Sequence, residues 1–298
     1  MSERILMALR DALITRTPLE DLPDGVWRRA GALNTWGTNA IEGNTLTWRD
    51  VQALLIEERS VGGRPLGDVL ETVQHERAFR GLLRRKASPI RLETALELHE
   101  EVFRGVKADA GQWRRVNVRI TGVRHVPTRM EKVVGEMEAM LKEYGRRDVA
   151  GEDPLALGAW FHHAFESIHP FSDGNGRVGR LLLNLHLLRH SWPPVHFLPQ
   201  DRERYLDAMG AGHEGDLSGL VLQVEELMGR SLLDLLDQVG TPEDELRPLK
   251  RLASKSGHSA EYLRLRAGQG RLPALKRNGD WHTSARALAL YREEVGRG

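Results

Sequence analysis

The chain has 298 residues, 40% hydrophobic and 29% charged, with 43 Lys and Arg against 42 Asp and Glu. That is an ordinary globular composition, which excludes a disordered tail or a fibrous scaffold, and the balanced charge gives no whole-chain argument for a nucleic-acid or membrane partner. With no cysteine, disulfides and thiolate chemistry are excluded too, in agreement with a reducing cytoplasm.

The opening MSERILMALRDALI is interrupted by Arg10 and Asp11 and has no small-residue cleavage site, so no signal peptide is expected. No apolar run nears the roughly 20 residues that span a bilayer, so the expected setting is cytoplasmic, without a membrane. Up to about residue 240 apolar residues recur at three- and four-residue spacing, which predicts a mainly α-helical fold. Leu155, Leu157, Trp160, Phe161, Phe165 and Ile168 predict one helix, and Val178, Leu181, Leu182, Leu185 and Leu188 the next, with a Gly-rich loop between. The exception is RVNVRITGVRHVP, where Val116, Val118 and Ile120 alternate with polar residues before Thr121-Gly122, a pattern that suits a β-hairpin. GTPEDELRP at 240–248 reads as a linker. His162, His163 and His186 have no carboxylate at a zinc-protease spacing and are read as structural.

The chemistry concentrates in His169-Pro170-Phe171-Ser172-Asp173-Gly174-Asn175-Gly176-Arg177-Val178-Gly179-Arg180. Gly174 and Gly176 let the backbone approach a ligand closely and turn successive N–H groups into an anion-binding nest. The helix that follows adds the positive end of its dipole. Arg177 and Arg180, three apart, fall on one face of its first turn, where two guanidinium forks could grip phosphate oxygens. Asp173 supplies a hard oxygen of the kind a Mg2+ needs when it keeps several waters and bridges phosphates. His169, with an ordinary pKa near 6.5, is suited to take a proton from an attacking hydroxyl.

This string resembles the signature loop of the Fic family, HPFx[DE]GNGRxxR, at every specified position. The resemblance implies a helical core in which His169 deprotonates a Ser, Thr or Tyr hydroxyl of a target protein and the hydroxyl attacks the α-phosphate of ATP. Asp173 would hold Mg2+, while Gly174, Asn175, Gly176, Arg177 and Arg180 bind the nucleotide. Gly176, where a toxin-type branch carries Lys, favours AMP transfer over phosphate transfer. Thr38-Asn39-Ala40-Ile41-Glu42-Gly43 fits the family's inhibitory pattern [ST]xxxE[GN], which implies that Glu42 pairs with Arg180 and turns ATP out of its productive pose. A two-pronged pairing is expected. The resemblance covers roughly residues 25 to 235, and the segment at about 115–126 resembles the flap along which a target strand pairs. Asn184 and Tyr205 are carried as lining residues of a nucleotide pocket, with packing as the competing reading.

From about residue 246 the chain resembles a helix-turn-helix with a wing. Leu249 and Leu252-Ala253 suit a first helix, Ser259 an N-cap for a second carrying Tyr262, Leu263 and Leu265, and Leu272 to Trp281 a wing around Arg277-Asn278-Gly279. Lys250, Arg251, Lys255, Arg264, Arg266, Arg271, Lys276 and Arg277 face a single acid, Glu261, so the module is expected either to contact DNA or to serve as a dimerisation or docking unit. The expected architecture is all-α with a short β-hairpin flap plus this small winged module. Its expected divisions are an N-terminal inhibitory region (1–95), a catalytic core (96–238) and the module (245–298). The competing functional readings are a nucleotide-sensing DNA-binding regulator with little turnover, and a related enzyme that removes AMP or uses another nucleotide.

Overall fold

A computed structural model describes residues 1–120, 125–254 and 256–296. The helices run α1 (Glu3–Arg16), α2 (Asp24–Ile41), α3 (Trp48–Leu55), α4 (Leu66–Arg85), α5 (Leu92–Phe103), α6 (Val133–Val149), α7 (Pro154–Ile168), α8 (Asn175–Arg189), α9 (Arg202–His213) and α10 (Ser218–Val239). They continue with α11 (Leu249–Ala253), α12 (Ala260–Gly268) and α13 (Ala285–Val295), and the strands are β1 (Arg247–Pro248), β2 (Leu275–Arg277) and β3 (Asp280–Thr283). The helical expectation therefore holds. None of the described helices is long and apolar enough to cross a membrane.

The chain forms two compact units: Trp27–Val221, and Met1–Val26 together with Leu222–Gly298. In the first, α8 is the central rod. It packs on α7, α4 and α5, and Leu181, Leu183 and Leu187 have essentially no exposed surface. A helix buried on nearly every side is stable only when neighbours cover it and its polar side chains are paired, and α4, α5 and α7 supply much of that cover here. Asp153 caps α7 by accepting the Ala156 N–H at 2.8 Å, and Pro154 takes the first helical position, where its missing N–H is harmless. At the other end Pro170 forbids continuation, and His169 closes the helix in the left-handed region at φ 53°. The α7–α8 turn therefore holds the candidate catalytic His on a fixed helix end.

Of the segment expected as a hairpin, residues 115–120 and 125–129 form no strand, and its turn, Thr121-Gly122, lies outside the described residues. In the other unit α1 packs on α13, with ion pairs from the N-terminal amine to Glu225 at 2.9 Å and from Arg4 to Glu293 at 2.9 Å. β1, β3 and β2 form an antiparallel sheet in that order, the β2–β3 turn being Asn278-Gly279 with both residues at positive φ. Ser259 caps α12 by accepting from Tyr262 N–H at 3.1 Å, and Leu263 and Tyr291 are buried. Arg277, counted above among basic surface residues, is held by Asp234 at 3.0 Å and Asp237 at 2.9 Å. Lys255 lies outside the described residues.

Phe161, fully buried on α7 beside Tyr144, tests whether α7 is packed as described. Phe161→Ala should lower the stability of the Trp27–Val221 unit by about 3–5 kcal/mol, read as a shift in its urea midpoint.

Candidate active site

The 169–180 loop is shaped by side chains on the elements around it. Asn175, buried at the start of α8, accepts the Phe171 N–H at 2.8 Å and donates to the Phe171 carbonyl at 3.0 Å. Its side chain thus closes the loop on itself. The Phe171 ring stacks on His99 with centroids 3.9 Å apart, and on Trp113 at 5.1 Å. His99 Nδ1 accepts the Gly111 N–H at 2.9 Å, so its Nε2 carries the proton and donates to the Asp173 carbonyl at 3.1 Å. Burial pushes its pKa down to about 4, which keeps that tautomer neutral. Arg114, 4% exposed, spends its guanidinium on backbone carbonyls: Nε donates to His169 at 2.8 Å, Nη1 to Val116 at 2.8 Å, and Nη2 to Thr128. Its own N–H donates to Pro170.

Arg114, His99, Phe103, Lys107, Glu71 and Glu166 are the site residues that sequence reasoning missed. Only Glu166 left a local signal, as a lone acid within an apolar helix three residues before His169.

Glycine is required at two positions of the loop. Gly174 sits at φ 81°, and a Cβ there would run into the Phe103 ring. Gly176 is in the first turn of α8, where a Cβ would overlap Glu42 Oε1 and come within 3.0 and 3.1 Å of the Arg180 guanidinium nitrogens. The missing side chain is the space the Glu42 carboxylate uses.

Both arginines are buried, and each holds a carboxylate. Arg177, 4% exposed, pairs with Glu71 on α4, lies 3.7 Å from Asp173 Oδ1 and covers the Phe103 ring at 4.5 Å. Arg180, 2% exposed, is gripped from α2: Nε donates to Thr38 Oγ1 at 2.6 Å and Nη2 lies 2.5 Å from Glu42 Oε1. The pairing is made by one oxygen, not by the two-pronged fork expected, because Thr38 already takes Nε. Burial works against the charge of Arg180, but Glu42 leads the contributions that outweigh it, so its pKa stands above the ordinary value. Gly43, at φ 90°, ends α2 and leaves Glu42 at its tip.

His169 Nδ1 lies 3.4 Å from the Glu166 carbonyl, which can only accept, so Nδ1 carries the proton and Nε2 presents a lone pair. Burial first, and the Arg114 charge second among the lowering effects, hold its pKa below the ordinary 6.5. At neutral pH it is an unprotonated imidazole, as a general base must be. Asp173 is half exposed, with Oδ2 2.5 Å from Lys107 Nζ and Oδ1 accepting the Gly174 N–H at 2.6 Å. Burial alone would raise its pKa, but the Lys107 bond and the Arg177 charge bring it below the ordinary carboxylate value. Among the described residues no group of three or more His, Cys, Asp or Glu is arranged around a metal position. A single hard, exposed carboxylate beside the phosphate nest still suits Mg2+, which takes one or two protein oxygens and fills its shell with water and phosphate.

Tyr205 is buried with its ring 5.8 Å from the Arg180 guanidinium and its hydroxyl 2.9 Å from His162 Nε2. Asn184 faces the other way: its Oδ1 accepts the Val195 N–H at 2.8 Å and its Nδ2 donates to the Val195 carbonyl at 3.1 Å, so both ends of the amide are engaged in packing. His186 is likewise fixed between Tyr144 Oη and the Pro154 carbonyl, at 2.9 and 2.7 Å.

One turn thus brings together a half-buried, unprotonated imidazole, the N-terminal N–H groups of α8 and two buried guanidinium groups, an arrangement of the kind that suits an anion. Residues 89–187 match the model of the Fic/DOC family, and the chain carries a Fic domain. It is 30% identical over 199 residues to the protein adenylyltransferase Fic of Nematostella vectensis, a match covering 65% of this chain and 46% of that protein. The chain therefore spans about half the length of the curated relatives it matches. Among solved structures, a Fic-domain signalling protein from Bacteroides thetaiotaomicron superposes with a TM-score of 0.69 at 25% identity, over 78% of this chain and 97% of that one. Residues 134–508 of Fic-1 from Caenorhabditis elegans do so with a TM-score of 0.68 at 28% identity, over 78% and 69%.

Glu166 gives the site a pH signature. Its carboxyl is 8% exposed, Oε1 has no hydrogen-bond partner, and burial, followed by the Glu42 charge, raises its pKa to about 8 from an ordinary 4.5. An unfolded chain releases this proton above 4.5 while the folded one keeps it to about 8, so the group subtracts stability as pH rises between those values. Glu166→Gln should remove that slope, so that over this range calorimetric melting temperatures move progressively in the variant's favour relative to wild type.

Proposed function

We propose that the chain is a protein adenylyltransferase that moves AMP from ATP to a Ser, Thr or Tyr hydroxyl of a target protein and is held back by its own Glu42. The observation that carries this reading is the pairing of a lone-pair-bearing His169 Nε2 with the nest and guanidinium groups of the adjoining turn. The curated relatives named protein adenylyltransferase support the same chemistry.

In this reading His169 Nε2 takes the proton of the target hydroxyl as its oxygen bonds to the α-phosphorus. The bond from that phosphorus to the bridging oxygen breaks, and pyrophosphate leaves. The backbone from Gly174 to Gly176 and the Arg177 fork offset the charge that develops, already in place before the reaction begins. Mg2+, held by Asp173, would neutralise phosphate charge. Arg180 is reserved for the outer phosphate of ATP. Glu42, on that guanidinium, and an ATP phosphate would compete for one cation, so the ion pair excludes the productive pose. Residues 1–95 supply the inhibitory segment, 96–238 the catalytic core and 245–298 an accessory module. The target strand runs along the flap at about 115–126. The absence of cysteine fits a cytoplasmic setting, and a homodimer is compatible with the sequence.

A DNA contact at the accessory module is favoured by one feature. Lys250, Arg251, Arg264 and Arg271 are exposed and make no ion pair among the described residues. Affinity there should fall steeply with salt.

The direct test is transfer of labelled AMP from ATP and Mg2+ to protein in a lysate. Glu42→Gly should raise the rate about tenfold or more, equivalent to ~1.4 kcal/mol, and adding His169→Ala should abolish it. Equal rates for wild type and Glu42→Gly would remove the inhibitory role. ATP binding without transfer by either variant would leave a nucleotide-sensing regulator. Because burial lowers the His169 pKa, the acid limb of the rate should lie below pH 6.5, with activity present above it and lost as pH falls through the shifted value.

A further inference from the structure

A cleft of about 350 Å3 lies between α6, α7 and residues 125–128. Met140, Trp160 and Ile168 make it apolar, and His125 and Ser167 close one side. The wall is fixed there because His125 Nε2 donates to the Ser167 carbonyl at 2.9 Å. Ile168 is the chain neighbour of His169, so the lining of the cleft reaches the residue next to the proposed base. Glu136 lines the same cleft from the first turn of α6, is exposed, and has no ion-pair partner among the described residues. Large apolar side chains are exposed around it at Val126, Met130 and Val134. Trp160 already carries the Arg147 guanidinium at 4.4 Å, which demonstrates the kind of cation contact its ring accepts.

An apolar trough ending at an unpaired carboxylate is complementary to one kind of side chain, an aliphatic stem with a cation at its tip. A target strand lying along residues 125–128, which line the cleft, would present alternate side chains to this face, successive ones on one side being about 7 Å apart. With the acceptor hydroxyl at His169, the next side chain on the same face is two residues away. We infer that the α6–α7 cleft is a specificity pocket for a lysine or arginine of the target, two residues from the hydroxyl that receives AMP. This rests on the AMP-transfer reading and adds to it the class of target segment.

The test uses the full chain carrying Glu42→Gly, labelled ATP, and a peptide library with one fixed acceptor hydroxyl and randomised flanks, the labelled peptides being sequenced. Lys and Arg should be enriched at one position two residues from the hydroxyl. A peptide with Lys there should react about tenfold faster, in kcat/KM, than one with norleucine or Glu. In Glu42→Gly, Glu136→Lys the preference at that position should invert toward Glu. Three results overturn the pocket: no enrichment, equal use of norleucine and Lys, or a Lys preference that survives Glu136→Lys. No labelled peptide from an enzyme that labels lysate protein overturns it as well. Absence of label on peptide and lysate protein alike instead removes the AMP-transfer reading, and the pocket assignment with it.

Discussion

Arg180 is a guanidinium taken almost wholly out of water, and a buried cation is tolerable only beside an anion. The geometry around it follows from that requirement. Thr38 on α2 and Glu42 just past its end satisfy it in the present arrangement, beside the Gly43 that terminates the helix. A nucleotide phosphate would satisfy it equally well. On the proposed reading, control by Glu42 would be an exchange of counter-ions on one fixed cation, with no need of a remote conformational relay between the end of α2 and the site. Glu166 shows the other side of the same balance. With Glu42 supplying the charge, a second carboxylate near Arg180 stays protonated instead of adding an anion to a dry site.

The loop that would receive the nucleotide is built to need no ligand for its shape. Asn175 closes it, His99 and Trp113 sandwich Phe171, and Arg114 ties three carbonyls from two chain segments. Each of these groups is buried or stacked and has its tautomer or fork settled by backbone partners. Donors fixed in advance lose little on reaction, which is the condition under which they stabilise developing charge most. Arg114 also joins the turn carrying His169 to Thr128, at the edge of the segment where a target strand is proposed to lie. Arg114→Lys would keep the charge but lose the fork, so charge alone would not restore that link.

Much of this was legible in the sequence because it is local. The 169–180 string fixes its own turn chemistry, Asp153-Pro154 and Pro170 delimit α7, and Asn278-Gly279 marks the β2–β3 turn. The partners from α4, α5 and residue 114 were not legible. Glu71, His99, Phe103 and Arg114 meet the loop only through packing on α8, and nothing in their local spacing distinguishes them from surface or core residues. Asn175 was read as a nucleotide contact together with its neighbours, and in the structure its side-chain amide is engaged by Phe171. Alternation alone made 115–126 look like a hairpin, but a strand is defined by pairing. The described flanks of that segment, 115–120 and 125–129, have no strand pairing in this chain.

A flank that carries extended-chain preference, with no strand pairing among the described residues, is suited to pair with a second chain, provided something positions it. His125 and Arg114 do so from opposite ends, one bonded to Ser167 and the other to Val116. Backbone pairing is blind to side-chain identity, so it holds a hydroxyl in register without choosing the protein that bears it. Selection must then come from side-chain contacts on the face the strand covers. The α6–α7 cleft is the proposed face, and its lining reaches Ile168, one residue from His169. On the proposed reading, reaction site and selection site share the end of α7, so a displacement of that helix end large enough to spoil recognition would also move His169 away from the hydroxyl.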